Sequence, residues 1–260
     1  MSGELKKTAK NQAGEEATRS LREIVIEEVK FLLGLFAFLL LFFNFVFGHF
    51  KIPSESMQPT LEVGDHLYVN KFAYGFSRHS LILGLRKLPF LKEGRLFGHT
   101  PDRGDVAVFR NPKTGIVMIK RVIGLPGDRI ETKNGRLFIN DTLVNRVLEG
   151  EFSYREHRGY VAQVAKYKEQ VPSEKDPHWI YERSDFDRLD NRGPYIIPQD
   201  TFFFMGDNRD NSEDSRAPNG PGFVPFDHLI GRAEYMVYST KRCKKEEGLK
   251  CPGRRMFLKL

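Results

Sequence analysis

The sequence predicts a mainly β protein: an antiparallel β-sheet body with a small inserted subdomain, preceded by one N-terminal transmembrane helix. Three observations predict this fold class. A continuous apolar run near the N-terminus has the length of a membrane span. Short runs rich in Val, Ile, Phe and Tyr follow it, and a polar stretch interrupts them. With 260 residues, the chain is long enough for one large domain or two small ones.

The apolar run occupies residues 31–47 and reads FLLGLFAFLLLFFNFVF. With residues 48–50 it covers roughly 30 Å of helix, the thickness of the hydrocarbon layer. A buried core helix would show a polar face, and a cleaved signal peptide would have a shorter apolar region before an A-x-A-like site. We therefore predict a transmembrane anchor over residues 31–50, after a cytoplasmic segment at residues 1–30.

The basic residues around this run predict its orientation. Lys51 follows the run, whereas the basic residues before it are Lys6, Lys7, Lys10, Arg19, Arg22 and Lys30. The positive-inside rule then places the N-terminus in the cytoplasm and residues 51–260 outside, on the periplasmic side of the inner membrane. Such a compartment permits a disulfide between Cys243 and Cys251, although two free thiols are also open.

The net charge of +7 invites nucleic acid as a partner. Its distribution argues against that partner, because residues 241–260 hold eight basic and two acidic side chains, a net charge of +6. The basicity is thus a C-terminal tail and not a face of the fold. A tail near a lipid bilayer meets anionic headgroups or stays solvated, and both alternatives are open.

After residue 55 the pattern becomes that of short strands joined by turns. Asn134-Gly135 lies between two strand-like runs and predicts a type I′ hairpin. We assign residues 51–147 and 196–240 to the β-rich body. The strand-like runs are HLYVNKFAYG, GDVAVFRNP, MIKRVIGLPGD, RLFINDTLV, DTFFFMGDN and LIGRAEYMVYS.

Two further segments differ from this pattern. Residues 148–195 are polar, charged and poor in aliphatic side chains, which favours a surface insertion without a catalytic role. Residues 81–91 (LILGLRKLPFL) are apolar but too short and too charged to span a bilayer. We interpret them as a membrane-facing loop, with an ordinary packed hairpin as the alternative.

Several kinds of functional site are excluded. The chain has no GxSxG, SxxK, GxxxxGK or GxGxxG motif. Its seven histidines are scattered, with no HExxH and no CxxC, so no metal site is expected. We expect no organic cofactor either.

Ser56 and Lys120 are the candidates that remain. Ser56 lies nine residues after the apolar run, between Pro53 and Pro59, a pattern that predicts a stiff extended segment. A serine nucleophile needs a base, and Lys120 lies in an apolar strand pattern where burial would lower its pKa. A neutral lysine accepts a serine proton. From the residues alone, an ordinary serine turn and a solvent-facing lysine stay open.

Three segments, in order after the apolar run, together resemble type I signal peptidases, also called leader peptidases. They are PSESMQPTLEVGDHLYVNKFAYG at 53–75, RGDVAVFRNP with IKRVIGLPGD within 103–128, and MGDNRDNSEDSR at 205–216. The resemblance implies a membrane-anchored serine endopeptidase, a hydrolase. Its substrates would be exported preproteins, cleaved after small residues at positions −1 and −3 of the signal peptide.

The resemblance also implies roles for single residues. Ser56 would be the nucleophile, Lys120 the general base, Ser54 an oxyanion-hole donor and Ser212 the residue that orients the lysine. Supporting ion pairs would come from Arg121, Asp214 and Arg216. The pockets for small substrate side chains would be lined by Ile52, Met57, Leu61, Leu67, Met118 and Ile119.

Two other functions stay open. One is a self-cleaving Ser-Lys peptidase, a class that carries an Ala-Gly cleavage site and usually a DNA-binding helix pair ahead of its serine. The other is a non-catalytic, membrane-anchored β-domain that binds exported proteins. Loss of processing on substitution of Ser56 or Lys120 separates the enzyme from this binding domain.

Overall fold

The computed structural model describes residues 21–80, 95–156, 159–240, 249 and 255–260. The chain divides into two compact units, Met1–Phe43 and Asn44–Leu260. The N-terminal segment before residue 21, the loop at 81–91 and both cysteines lie outside the described residues, as does most of the tail. The predictions made for them stay predictions.

Helix α1, Leu21–Phe45, forms the described part of the first unit and extends two residues past its end at Phe43. It covers residues 31–45 of the predicted anchor at residues 31–50, and the bounds of that anchor stay a prediction. The helix begins ten residues earlier, where Arg22, Glu23, Glu27, Glu28 and Lys30 are all good helix formers. It ends at Phe45, and after Val46 the chain continues as a strand from Phe47. Among the described helices, none is both long enough and apolar enough to cross a membrane.

The second unit is built from short strands, as the sequence predicts. The strands are β1 (Phe47–Lys51), β2 (Asp65–Asn70), β3 (Val106–Arg110), β4 (Val117–Gly124), β5 (Arg129–Lys133), β6 (Arg136–Ile139), β7 (Thr142–Leu143), β8 (Asn145–Arg155), β9 (Val161–Gln170), β10 (His178–Glu182), β11 (Arg192–Ile196), β12 (Thr201–Met205), β13 (Val224–Pro225), β14 (Leu229–Ser239) and β15 (Met256–Lys259).

Within the described residues these strands form three antiparallel sheets. The largest has eight strands in the order β1-β2-β14-β3-β4-β12-β13, with β15 paired to β14. A second has the order β11-β5-β6-β7, and a third, β10-β9-β8, is built by residues 145–182. The mainly β, antiparallel fold class is therefore confirmed.

Local turn chemistry is also as predicted. Asn134 and Gly135 connect β5 to β6 and have φ angles of 47° and 67°. Two consecutive positive φ angles are those of a type I′ turn, which matches the right-handed twist of the strands it joins. Lys133 and Arg136 consequently face each other as the last pair of the hairpin.

The central strands of the large sheet are buried along most of their length. In β12, the run FFFM is fully buried, and in β4 burial is continuous from Lys120 to Gly124. Strands covered on both faces read as continuous apolar runs rather than as an alternation. Lys120 and Arg121 are exceptions to that rule, because both charged side chains lie in the most buried stretch of β4. A buried charged side chain requires hydrogen-bonding or ionic partners. Lys120 contacts Ser56, and Arg121 pairs with Asp207.

Candidate active site

The central feature of the site is a contact between two buried side chains. Lys120 Nζ donates a hydrogen bond of 2.6 Å to Ser56 Oγ. Ser56 is 8% exposed and Lys120 is 4% exposed, so both groups are largely removed from water. The structure thus brings together the two residues that the sequence singled out, one from the loop after β1 and the other from β4.

Burial determines the ionisation of the lysine. It lowers the pKa of Lys120 from 10.5 to about 8, although Asp214 and Asp207 partly oppose this shift by favouring the ammonium. The ammonium is not left without acceptors, since Nζ also donates to the carbonyl of Ile119 at 2.9 Å. A lysine with this pKa is partly neutral just above neutral pH and can accept a proton.

The segment around Ser56 is a series of turns, and the predicted stiff extended conformation is wrong. The Gln58 N–H donates to the Glu55 carbonyl at 3.0 Å, and the Leu61 N–H donates to Met57 at 2.9 Å. Two prolines fix φ, but they do not prevent the residues between them from turning. The turn buries Ser56 beside β4 instead of leaving it on a strand.

A second loop, residues 206–216, holds the backbone of the serine. The Asn208 N–H donates to the Ser56 carbonyl at 3.1 Å, and Asn208 Nδ2 donates to the Glu55 carbonyl at 3.1 Å. Gly206 lies at the closest approach: an added Cβ would meet Ser56 O at 2.4 Å and Ser212 Oγ at 2.3 Å. This position therefore accepts glycine alone without displacement of the serine loop.

The two auxiliary serines are placed differently. Ser54 Oγ is 3.3 Å from Ser56 Oγ, and the Ser54 side chain is exposed, at the open side of the nucleophile candidate. Ser212 is 1% exposed, and its Oγ has no hydrogen-bond partner among the described residues. It therefore makes no hydrogen bond to Lys120 in this conformation, so its predicted orienting role stays a prediction.

Buried ion pairs fix this loop to its surroundings. Arg121 donates twice to Asp207, with Nε–Oδ1 and Nη2–Oδ2 distances of 2.8 and 2.7 Å. Arg216 donates to both oxygens of Asp214 at 3.0 and 2.9 Å, and the Gly206 N–H donates to the same carboxylate at 3.0 Å. Paired guanidinium groups keep the pKa of both carboxyls below the usual range, so both stay ionised.

Other residues of the site were missed by the sequence reasoning. Arg209 pairs with Glu169 of β9, and the two side chains are 2% and 1% exposed. Tyr154 of β8 accepts a hydrogen bond of 2.9 Å from Asn208. The segment at 205–216 signalled the loop residues, but no local pattern marks Glu169 or Tyr154, which reach the loop through the tertiary fold. The polar region assigned to a surface insertion thus contacts the loop that holds Ser56.

The predicted pocket residues separate into two groups. Ile52, Met57, Leu61 and Leu67 are buried together in one apolar cluster, and Ile119 packs against it. Met118 instead packs against a second cluster, which contains the stacked rings of Phe109 and Phe204. Five of the six residues therefore belong to one apolar region, which begins at the residues flanking Ser56.

Known proteins match this chain over most of its length. The signal peptidase family, peptidase S26, matches residues 25–238. A signal peptidase I from Rickettsia typhi is 37% identical over 199 residues, covering 74% of this chain and 72% of the relative. One from Rickettsia conorii is also 37% identical over 199 residues, covering 74% of this chain and 71% of the relative.

A crystal structure of a signal peptidase I from Enterococcus faecalis matches 52% of this chain and 97% of that chain, with 24% identity and a TM-score of 0.30. The sequence matches define the class of the protein, which is a serine peptidase and therefore a hydrolase. In particular, the chain belongs to the signal peptidase family, peptidase S26.

Proposed function

We propose that this protein is a serine endopeptidase that removes N-terminal signal peptides from exported preproteins, with Ser56 as nucleophile and Lys120 as general base. The observation that carries the proposal is the buried hydrogen bond of 2.6 Å between Lys120 Nζ and Ser56 Oγ. A lysine whose pKa lies at about 8 is a base near neutral pH, which an exposed lysine is not.

The proposed reaction has two stages. Neutral Lys120 takes the proton from Ser56 Oγ, the oxygen attacks the scissile carbonyl carbon, and a tetrahedral intermediate forms. The Lys120 ammonium then gives its proton to the leaving amine, the C–N bond breaks, and an acyl-enzyme remains on Ser56. In the second stage Lys120 takes a proton from water, the hydroxide attacks the ester carbonyl, and the proton returns to Ser56 Oγ as the acid leaves.

Ser54 is proposed as a donor to the oxygen of the tetrahedral intermediate. Its hydroxyl is 3.3 Å from Ser56 Oγ and lies at the exposed side of the site, where a substrate can approach. A donor aimed at the developing oxyanion stabilises the transition state more than the ground state. The Ser56 N–H is the second donor in this proposal.

The proposed substrate specificity is for small side chains at positions −1 and −3. The apolar cluster of Ile52, Met57, Leu61 and Leu67 is closely packed beside Ser56, with exposures of at most 2%. We expect such a packed surface to leave room for alanine and to exclude larger side chains. Signal peptides carry small residues at these positions.

Association with the cytoplasmic membrane, with residues 51–260 on its outer face, is also part of the proposal. Apolar side chains of α1 are exposed, among them Phe31 at 65%, Leu33 at 62% and Phe36 at 61%. Acyl chains would cover this surface at lower free energy than water does. Extraction of membranes with sodium carbonate at high pH tests the association, and release of the full-length protein into the soluble fraction would contradict it.

The function is tested by in vitro cleavage of a preprotein with an A-x-A site, in detergent, with the product identified by mass spectrometry. The wild type should cleave after the second alanine, and Ser56→Ala and Lys120→Met should not. A chelator should leave this cleavage intact. Cleavage that requires a metal and survives Lys120→Met would overturn the proposal, and intact processing by both variants would favour a binding domain.

A further inference from the structure

We propose that His79, Asp227 and His228 form a binding site for a divalent transition-metal ion of the Zn²⁺ type. The proposal concerns residues outside the Ser56–Lys120 site. His79 lies in the turn that follows residue 76, whereas Asp227 and His228 immediately precede β14. The ligand atoms that the three residues offer all lie within 4.8 Å of one another.

The geometry is close to that of a metal site. Zn²⁺ binds imidazole nitrogen and carboxylate oxygen at about 2.0–2.2 Å, so tetrahedral ligand atoms lie about 3.3 Å apart. His228 Nε2 and Asp227 Oδ1 are 3.9 Å apart, and the rings of His79 and His228 have centroids 4.6 Å apart. Small rotations of half-buried side chains would therefore complete a three-ligand set, with a water molecule as the fourth ligand.

One imidazole is already oriented for a cation. His228 Nδ1 is 2.9 Å from the carbonyl of Arg110, and because a carbonyl only accepts, Nδ1 carries the proton. The lone pair is consequently on Nε2, the atom on the side of Asp227. Metal-binding histidines are oriented in the same way, by a hydrogen bond from the other ring nitrogen to a carbonyl or carboxylate.

One half-buried arginine, Arg95, holds both segments that carry the ligands. Arg95 donates to the carbonyl of Gly75 at 2.7 Å and to that of Phe226 at 2.7 Å. Ser77 Oγ adds a contact of 3.5 Å to the carbonyl of Leu229. A cation would therefore bind to a preformed backbone arrangement and would pay little ordering entropy.

In this structure, Arg78 contacts two of the atoms that would bind the metal ion. Its guanidinium is 3.4 Å from Asp227 Oδ2, and its Nε donates to His79 Nε2 at 3.2 Å. The Arg78 side chain is 46% exposed and can move into solvent. A metal ion would replace the arginine as the cation between the carboxylate and the imidazole, so that Arg78 competes with the metal.

Zn²⁺ binding to the tag-free, full-length protein tests the site, by competition with a chromogenic chelator. We expect one ion per chain, with a dissociation constant below about 100 µM. His79→Ala and His228→Ala should each weaken binding at least about tenfold. Arg78→Ala should strengthen it, an effect that general unfolding does not produce. Zn²⁺ should also raise the Tm of the wild type, but not that of the double variant His79→Ala/His228→Ala.

Two control variants separate this site from other donors. His66→Asn removes one member of the His49–His66 pair, whose ring nitrogens are 3.0 Å apart. Cys243→Ser/Cys251→Ser removes both cysteines of the chain. Both controls should bind Zn²⁺ as the wild type does. Absence of saturable binding, binding that survives His79→Ala/His228→Ala, or binding lost in either control would overturn the proposal.

Discussion

Lys120 Nζ lies 2.6 Å from Ser56 Oγ, although 64 positions separate the two residues in the chain. Two features of the fold produce this contact. Strand β4 carries the lysine into the apolar interior, and the loop at 206–216 holds the serine carbonyl through the Asn208 N–H. The proposed nucleophile and base are thus positioned by separate elements, which makes their contributions separable by substitution.

Substitution of the two serines should have graded effects on cleavage. Ser56→Ala removes the nucleophile and should lower kcat/KM by at least about 10³-fold. Ser54→Ala removes one proposed oxyanion donor and should lower kcat by about 10²–10³-fold with little change in KM. Ser54→Thr keeps a hydroxyl and should retain most activity. Steady-state kinetics on one preprotein would contradict the assignment if Ser54→Ala matched the wild type.

Gly206→Ala should damage the site by steric displacement. The new Cβ would approach Ser56 O at 2.4 Å and Ser212 Oγ at 2.3 Å, so the loop that carries the nucleophile must move. A displacement near 1 Å typically lowers turnover by about 10²-fold. Gly34→Ala is the control, because an added Cβ there meets nothing within 4 Å. Equal kcat values for the two variants would refute the close-approach argument.

Glu169→Gln should destabilise the protein, because it leaves the Arg209 guanidinium buried without its counter-charge. Loss of one partner of a buried pair costs about 3–5 kcal/mol in the free energy of unfolding. Glu213→Gln is the matched control, since the Arg188–Glu213 pair is exposed, at 49% and 45%, and such a pair contributes about 0–1 kcal/mol. Urea denaturation measures the free energy of unfolding of both variants. A small and equal decrease for the two would contradict the prediction.

The Glu169–Arg209 pair also predicts how the free energy of unfolding changes at acid pH. Desolvation raises the pKa of Glu169, but Arg209 and His178 outweigh it and hold the pKa well below the usual glutamate value. The unfolded chain therefore takes up this proton first as the pH falls, and the stabilisation present above about pH 4.3 is lost in acid. In Glu169→Gln this part of the acid dependence should be absent, which denaturation between pH 5 and pH 2 would reveal.

Lys120→Met should stabilise the folded state at neutral pH. Burial lowers the pKa of Lys120 to about 8 from 10.5, so below pH 8 the folded protein carries the full penalty of a buried ammonium. That penalty corresponds to about 3 kcal/mol. Between about pH 8 and 10.5 the unfolded chain binds the extra proton, so wild-type stability rises with pH in this window. A variant less stable than the wild type at pH 7 would contradict the burial argument.

Much of the fold was predictable from local pattern, because strands and turns depend on nearby residues. The Asn134-Gly135 turn and the buried run of β12 are examples. The start of α1 was not predictable in this way. Residues 21–30 include charged side chains that favour a helix, but a search for an apolar run excludes them. The Glu169–Arg209 contact depends on how the sheet at 145–182 packs against the loop at 206–216, which no sequence period encodes.

The site was predictable in a different way. The residues alone make Ser56 and Lys120 candidates but leave an ordinary serine turn and a solvent-facing lysine open, and the family resemblance implies their roles as nucleophile and base. Spacing could not reveal that His79 and His228 meet, since their proximity arises from the packing of the residue-77 turn beside the start of β14. Long-range pairing of this kind requires the tertiary structure.

The pH dependence of kcat/KM for cleavage of an A-x-A preprotein tests the Ser-Lys dyad most directly. The general base must be neutral to accept the serine proton, so activity should rise with pH through an apparent pKa of about 8 and then level off. Lys120→Met should be inactive across the whole range. An acid limb near the ordinary lysine pKa of about 10.4, or activity retained by Lys120→Met, would contradict the account.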